Sequence, residues 1–218
     1  MSHALSDLAA RIDHTLLKPQ ASRDQIAGYC DQALAHGFAA VCVNPRHVRA
    51  VADRLTGSHV ATCAVVGFPL GAHTTEIKAG EARRAVADGA REIDMVIAIG
   101  ALLEGDEAYV ADDIARVRQA CGSASLKVIL ETGLLDDAAK RRGCEIARAA
   151  GAHYVKTSTG FADGGATVAD IALMHATVGG AMGIKASGGV RTREAALALV
   201  EAGATRIGTS NGVALLGD

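Results

Sequence analysis

Eight short apolar runs alternate with longer segments of helical periodicity along the 218 residues, and this alternation constrains the fold more than any other feature. The runs are IDHTLL (12–17), FAAVCV (38–43), VATCAVV (60–66), REIDMVI (91–97), LKVILE (126–131), HYVKT (153–157), AMGIKA (181–186) and TRIGTS (205–210). Residues 74–88, 106–120 and 192–202 read as helices. Several helical segments open on Ser or Thr at a capping position and stop just before a glycine, as at Gly89, Gly151 and Gly203. Strand followed by helix, repeated, implies parallel pairing, because a parallel neighbour needs a crossover connection. Eight such units favour a closed barrel over an open doubly wound sheet. A dinucleotide-binding sheet would place GxGxxG after its first strand, and none is there. With no Ser/Pro-rich linker and no low-complexity tract, residues 1–218 are expected to form one α/β domain, a single-domain (β/α)8 TIM barrel.

Composition removes several functional classes. Half the residues are hydrophobic, enough for one substantial core. The net charge is −2 with 3% aromatic residues, so neither a basic patch nor stacking rings are on offer, and no nucleic-acid partner is expected. Cys30, Cys42, Cys63, Cys121 and Cys144 contain no CxxC and are odd in number. They read as buried thiols of a reducing compartment, not as a disulfide framework or a zinc site. No uncharged run reaches membrane-spanning length and the start carries no apolar leader core. A cytoplasmic chain without a membrane partner is expected.

The charges inside the apolar runs carry the chemistry. In a barrel both faces of a strand meet apolar surroundings, so a charge in the middle or at the C-terminal end of a strand points inward, toward the mouth. Asp94, Glu131, Lys156 and Lys185 meet that description. Alternation puts Ala181 and Gly183 on the face of Lys185, where they would leave space for a long amine. One strand charge is most simply half of a buried ion pair. Two lysines and an aspartate at one end raise another reading, because neighbouring ammonium groups repel and burial disfavours their charge. A lysine at its ordinary value of about 10.4 is almost never neutral at pH 7. Lowering it to about 7–8 takes about 4 kcal/mol and yields the neutral amine that a Schiff-base nucleophile requires. Asp94 would be counter-charge or proton carrier, and Glu131 a structural residue orienting a lysine. Which lysine is the nucleophile stays open on these grounds.

Two loops suggest an anion site. ASGGVRT (186–192) follows the seventh run and GTSNG (208–212) the eighth. Glycine lets backbone N–H groups approach an anion, hydroxyls add donors, and the next helix N-terminus adds positive potential. Barrels often hold phosphate with these two loops. The residues therefore point to a phosphorylated, carbonyl-bearing substrate and to amine catalysis without metal or cofactor. Other features read as structural: HTTE (73–76) as a helix start with a capping threonine, His14 as a hydrogen-bonded core residue, Cys42 as a packed thiol. GFADGG (160–165) is a long loop or a mobile cover.

With these residues assembled, the chain resembles the 2-deoxyribose-5-phosphate aldolases, class I aldolases of the (β/α)8 type, over almost its whole length. The resemblance rests on IDHTLLKP (12–19), VCVNP (41–45), GFPLG (67–71), EIDMVI (92–97), KVILETG (127–133), VKTSTGF (155–161), KASGGVRT (185–192) and RIGTS (206–210), in this order. It implies reversible cleavage of 2-deoxy-D-ribose 5-phosphate to D-glyceraldehyde 3-phosphate and acetaldehyde, in deoxyribonucleoside catabolism, and a homodimer. It assigns Lys156 as the Schiff-base residue, Lys185 as the second lysine that perturbs it, and Asp94 as the proton carrier, acting through a water. Gly160, Gly188, Gly189, Gly208 and Ser210 match positions around the phosphate, and Thr157 and Thr159 match hydroxyls near the sugar. Three departures stand out. Phe161 occupies a position where some members carry a lysine near the phosphate, and Asn211 one where a second serine is frequent. The tail GVALLGD lacks the C-terminal tyrosine that assists proton transfer in some members.

Two rivals make different demands. A keto-acid or transaldolase-type barrel aldolase with an acidic substrate needs an arginine clamp at the mouth, where only Arg191 lies in a phosphate loop and Arg206 begins the last strand. A phosphate-binding barrel without catalysis would have replaced Lys156, Lys185 or Asp94, and all three are present.

Overall fold

The computed structural model describes residues 7–217. Eight parallel strands close into a barrel in chain order. They are β1 (Ile12–Leu16), β2 (Ala40–Val43), β3 (Ala61–Val66), β4 (Glu92–Val96), β5 (Ser125–Ile129), β6 (Tyr154–Lys156), β7 (Gly183–Ser187) and β8 (Arg206–Thr209), and β8 pairs back onto β1. Each falls inside its apolar run except β5, which starts one residue before it at Ser125, and β7, which ends one residue after it at Ser187. The helices on the outside are α1 (Arg23–His36), α2 (Val48–Arg54), α3 (Thr75–Ala87), α4 (Ile99–Glu104), α5 (Glu107–Ala120), α6 (Asp137–Ala149), α7 (Val168–Val178), α8 (Arg193–Glu201) and α9 (Gly212–Leu216). The expected single domain begins and ends on residues 1–6 and 218, which lie outside the described ones. No helix among the described residues is long and apolar enough to cross a membrane.

Local chemistry sets the helix ends. Ser22 and Gln25 form a reciprocal capping box at α1, and the side chains of Asp106, Asp136, Thr167 and Thr192 cap α5 to α8. Thr74 sits at the N-cap of α3 in extended conformation, but its side chain makes no capping bond there. Gly89, Gly151 and Gly203, expected to stop helices, all take positive φ, a conformation that residues with a Cβ resist.

The alternation of the strands sorts the core into two layers. Ile12, Val41, Val43, Ala64, Val66, Ile93, Met95, Leu126, Val128, Val155, Ile184 and Ile207 are buried in the main cluster, against the helices. The opposite face is split. On β2 and β3 it carries Ala40, Cys42, Ala61, Cys63 and Val65, a small apolar cluster closed by Leu17 and Phe68. On the other six strands it carries Asp13, Glu92, Asp94, Lys127, Tyr154, Lys156, Lys185 and Arg206. Six of the eight strands thus turn charge into the barrel interior.

The space foreseen around Lys185 is used differently. Ala181 lies in a single 3-10 turn (Gly179–Ala181) before β7, outside the strand. Gly183 is filled by Tyr154, since a Cβ there would lie 2.1 Å from the tyrosine ring. The glycine that makes room for the lysine is Gly208, where a Cβ would lie 3.0 Å from Cε of Lys185 and 2.9 Å from Cβ of Ser187.

Candidate active site

Register brings the charges together. Lys156 on β6 pairs with Lys185 on β7, and Asp94 on β4 with Lys127 on β5. Asp94 is the hub: its Oδ2 accepts from Lys156 at 2.8 Å and from Lys185 at 2.7 Å, and its Oδ1 from Lys127 at 2.8 Å. Lys127 also reaches Glu92 at 2.7 Å and Asp13 at 3.5 Å. Lys185 reaches Asp13 at 2.6 Å. Arg206 closes the circuit, donating to Asp13 at 2.9 Å and to Glu92. Asp13, Asp94, Lys127 and Lys185 are fully buried, and Lys156 is 2% exposed.

Such burial costs several kcal/mol per ion unless each charge is matched, and here four cations interleave with three carboxylates. Burial pushes Asp94 up, but Lys127, Lys156 and Lys185 together hold it well below the usual carboxylate range. Burial likewise opposes the charge of Asp13, yet Lys185, Lys127 and Arg206 bring it down to about 2. For Lys185 the expectation of mutual repulsion does not hold. Burial pulls it down, but Asp13 and Asp94 more than reverse this, and it is held above the ordinary lysine value. Asp13, a second carboxylate beside Asp94, outweighs the repulsion between the ammonium groups.

One amine of this cluster meets a cavity. A space of about 570 Å³ at the C-terminal end of the barrel is lined by Lys156 together with the loops after β1, β6, β7 and β8. Thr159, Gly160, Gly188, Gly189, Gly208 and Ser210 all line it, while Asp94 and Lys185 lie behind Lys156. Gly188 and Gly189 both take positive φ, a backbone that turns N–H groups in ways a substituted residue resists. Thr157, grouped with the sugar-side hydroxyls, is not brought to the cavity. It is fully buried, and its Oγ1 donates to the Ser187 carbonyl at 2.9 Å and accepts from the Ser187 N–H at 3.0 Å, clasping β6 to β7. Thr209 does similar work one strand on, donating to the Val190 carbonyl at 2.8 Å.

Glu131 orients a threonine, contrary to the expected lysine. It follows β5 with φ 60, and its carboxylate accepts from the Thr159 N–H at 3.2 Å and from the Thr159 hydroxyl. The hydroxyl oxygen in turn accepts from the Phe161 N–H at 3.1 Å. Phe161 is exposed and packs edge-on against Phe68, with ring centroids 5.3 Å apart. His14 is the core residue expected: buried, with Nε2 2.7 Å from Gln32 Oε1 and its ring stacked on Tyr29. Cys42 is a packed thiol, in register with Cys63. Cys63 itself donates to Asp94 Oδ1 at 3.1 Å.

Asp13, Glu92, Lys127, Cys63 and Arg206 were not singled out from the sequence as parts of the cluster. Arg206, considered there for a mouth clamp, points into the interior. The signal for Asp13 and Lys127 was available, since both are charges inside apolar runs. Asp13 sits near the N-terminal end of β1 and Lys127 in the middle of β5, and only the closed register shows how far their side chains reach.

An amine facing a cavity, backed by a carboxylate that can take its proton and by a second lysine, can form an imine with a carbonyl compound. Residues 8–217 match the family described as DeoC/LacD family aldolase. The deoxyribose-phosphate aldolase of Brevibacillus brevis is 57% identical over 205 residues, covering 94% of this chain and 93% of that protein. That of Rhodospirillum rubrum is 55% identical, covering 98% of this chain and 90% of that one. Among solved structures, the tetrameric deoxyribose phosphate aldolase from Aeropyrum pernix superposes with a TM-score of 0.91 at 34% identity, covering 98% of this chain and 91% of that chain.

Proposed function

The chain belongs to the DeoC/LacD family of aldolases, and within it we propose that 2-deoxy-D-ribose 5-phosphate is the substrate and Lys156 the amine that attacks it. The activity is that of a deoxyribose-phosphate aldolase, a lyase. The observation that carries the residue assignment is that Lys156 alone among the buried amines lines the cavity, while sharing one carboxylate oxygen with Lys185.

Neutral Lys156 adds to the C1 aldehyde of the open-chain sugar, giving a carbinolamine. Loss of water leaves an iminium, whose positive charge draws the electrons of the C2–C3 bond. The bond breaks as the C3 hydroxyl passes its proton to the water just released, carbons C3–C5 depart as D-glyceraldehyde 3-phosphate, and an enamine remains on Lys156. Protonation at carbon and hydrolysis release acetaldehyde and restore the amine. Asp94 Oδ2 already accepts from Lys156, so a proton leaving or returning to that nitrogen has an acceptor in place without an intervening water. Lys185 keeps its charge and holds the carboxylate in position. The phosphate lies among Gly160, Gly188, Gly189, Gly208 and Ser210, and its binding fixes the reacting carbons, turning remote contacts into orientation. Thr159, with its hydroxyl proton given to Glu131, bounds the sugar side of the cavity. The reaction serves deoxyribonucleoside catabolism in the cytoplasm, in a homodimer.

Borohydride added with acetaldehyde tests the assignment. Peptide mapping should find one ethyl group, on Lys156, and labelling at Lys127 or Lys185 would refute it. A coupled assay with 2-deoxyribose 5-phosphate, following glyceraldehyde 3-phosphate, tests the substrate.

A further inference from the structure

The cavity lining contains three cations, Lys18, Lys156 and Arg191, and no carboxylate. Every other cation at the barrel centre is matched, but no carboxylate among the described residues pairs with Lys18 or Arg191. Both are exposed at the rim, Lys18 on the loop after β1 and Arg191 on the loop after β7. Because β7, β8 and β1 are consecutive around the closed barrel, these loops flank the Gly208–Ser210 segment from both sides. Phe161, on the loop after β6, adds a ring and no charge.

We propose that Lys18 is a specificity-determining residue, the side-chain cation that selects the phosphorylated over the unphosphorylated sugar from the β1 side of the cavity. The inference rests on the phosphorylated substrate proposed above. The backbone of Lys18 is held in place: the Leu17 carbonyl accepts from Asn44 Nδ2 at 3.0 Å, the Lys18 carbonyl accepts from the Ala21 N–H at 3.1 Å, and Pro19 restricts Lys18 to extended conformations. The cost of engaging a phosphate is thus confined to one flexible side chain carrying a point charge. A phosphate monoester carries close to two negative charges at pH 7, more than backbone N–H groups and Arg191 alone neutralise.

Steady-state kinetics on wild type, Lys18→Met and Lys18→Arg, with 2-deoxyribose 5-phosphate and with 2-deoxyribose, test this. Lys18→Met should raise KM for the phosphorylated sugar about tenfold with kcat nearly held, so that the preference for it in kcat/KM falls by about the same factor. The inhibition constant of inorganic phosphate should rise in parallel, and Lys18→Arg should restore most of both. An unchanged preference with unchanged phosphate inhibition would overturn the assignment, as would an equal loss on both sugars, which marks a structural role. A wild type inactive on the phosphorylated sugar would sink the substrate proposal instead. Phosphate binding by calorimetry to wild type and Lys18→Met would still judge Lys18.

Discussion

Lys156 and Lys185 are register partners on neighbouring strands, and both donate to the same atom, Oδ2 of Asp94, from 2.8 and 2.7 Å. That shared oxygen couples catalysis to stability. Asp94→Asn removes the negative charge at the hub, leaves Lys127 and Lys185 to Asp13 and Glu92, and leaves Lys156 with no carboxylate partner among the described residues. The expected loss is about 10²–10⁴-fold in kcat, from the missing proton acceptor, and about 3–5 kcal/mol in stability, from the unmatched charge. The coupled assay and urea unfolding measure the two. A folded variant with near wild-type kcat would remove Asp94 from the proton path.

The same cluster fixes the response to pH. Asp13 is held down to about 2 against an ordinary value of 3.8, and Asp94 is displaced in the same direction. A depressed carboxylate stabilises the fold above its unfolded value, and this contribution is lost as pH falls through the folded one. Stability should therefore hold from neutrality to about pH 4 and fall between about pH 4 and 2, by about 2 kcal/mol for Asp13 alone. Lys185 is displaced upward, so its contribution is complete below the unfolded lysine value of about 10.4 and brings no loss between pH 7 and 10. Urea unfolding from pH 2.5 to 9.5 checks both limbs. An acid limb unchanged in Asp13→Asn would contradict the account.

The fold was legible because a parallel barrel repeats one simple instruction. Apolar runs such as VATCAVV and REIDMVI are long enough to pair and too short to be helices, and glycines such as Gly89 and Gly203 mark the turns between them. Lys156, Lys185 and Asp94 were legible for the same reason, as charges where a strand has no solvent to offer. What the sequence hides is the stagger of a closed sheet. Asp13 and Gly208 are distant in the chain and register partners in the barrel, and so are Asp94 and Lys127, whose side chain also extends to Asp13 across the interior. Thr157 was misread in the opposite direction. It adjoins Lys156, but strand alternation turns it from the cavity toward Ser187.

Gly208→Ala tests the room around Lys185. A Cβ at that position would stand 3.0 Å from Cε of Lys185 and 2.9 Å from Cβ of Ser187, both buried and held by other contacts. The added methyl must displace the lysine from Asp94 or move the β7–β8 pairing. Overpacking of this kind costs about 1–3 kcal/mol. Because the displaced side chain belongs to the reaction, kcat should fall at least tenfold, by about 1.4 kcal/mol or more in barrier. Wild-type kcat and melting temperature together in this variant would show that the site tolerates the methyl.

Glu131 separates two accounts of one carboxylate. As an orienter of a lysine, the expectation from sequence, its replacement by glutamine would lower kcat. In the structure it holds Thr159 by the N–H at 3.2 Å and by the hydroxyl, and it touches no lysine among the described residues. Glu131→Gln exchanges charge-assisted bonds for neutral ones, worth about 1–2 kcal/mol less in all. The loss falls on the cavity wall formed by Thr159 and Gly160, not on the amine. KM for the sugar phosphate should therefore rise about tenfold while kcat stays within about threefold of wild type. Steady-state kinetics decide it, since a fall in kcat with KM unchanged would return Glu131 to the lysine.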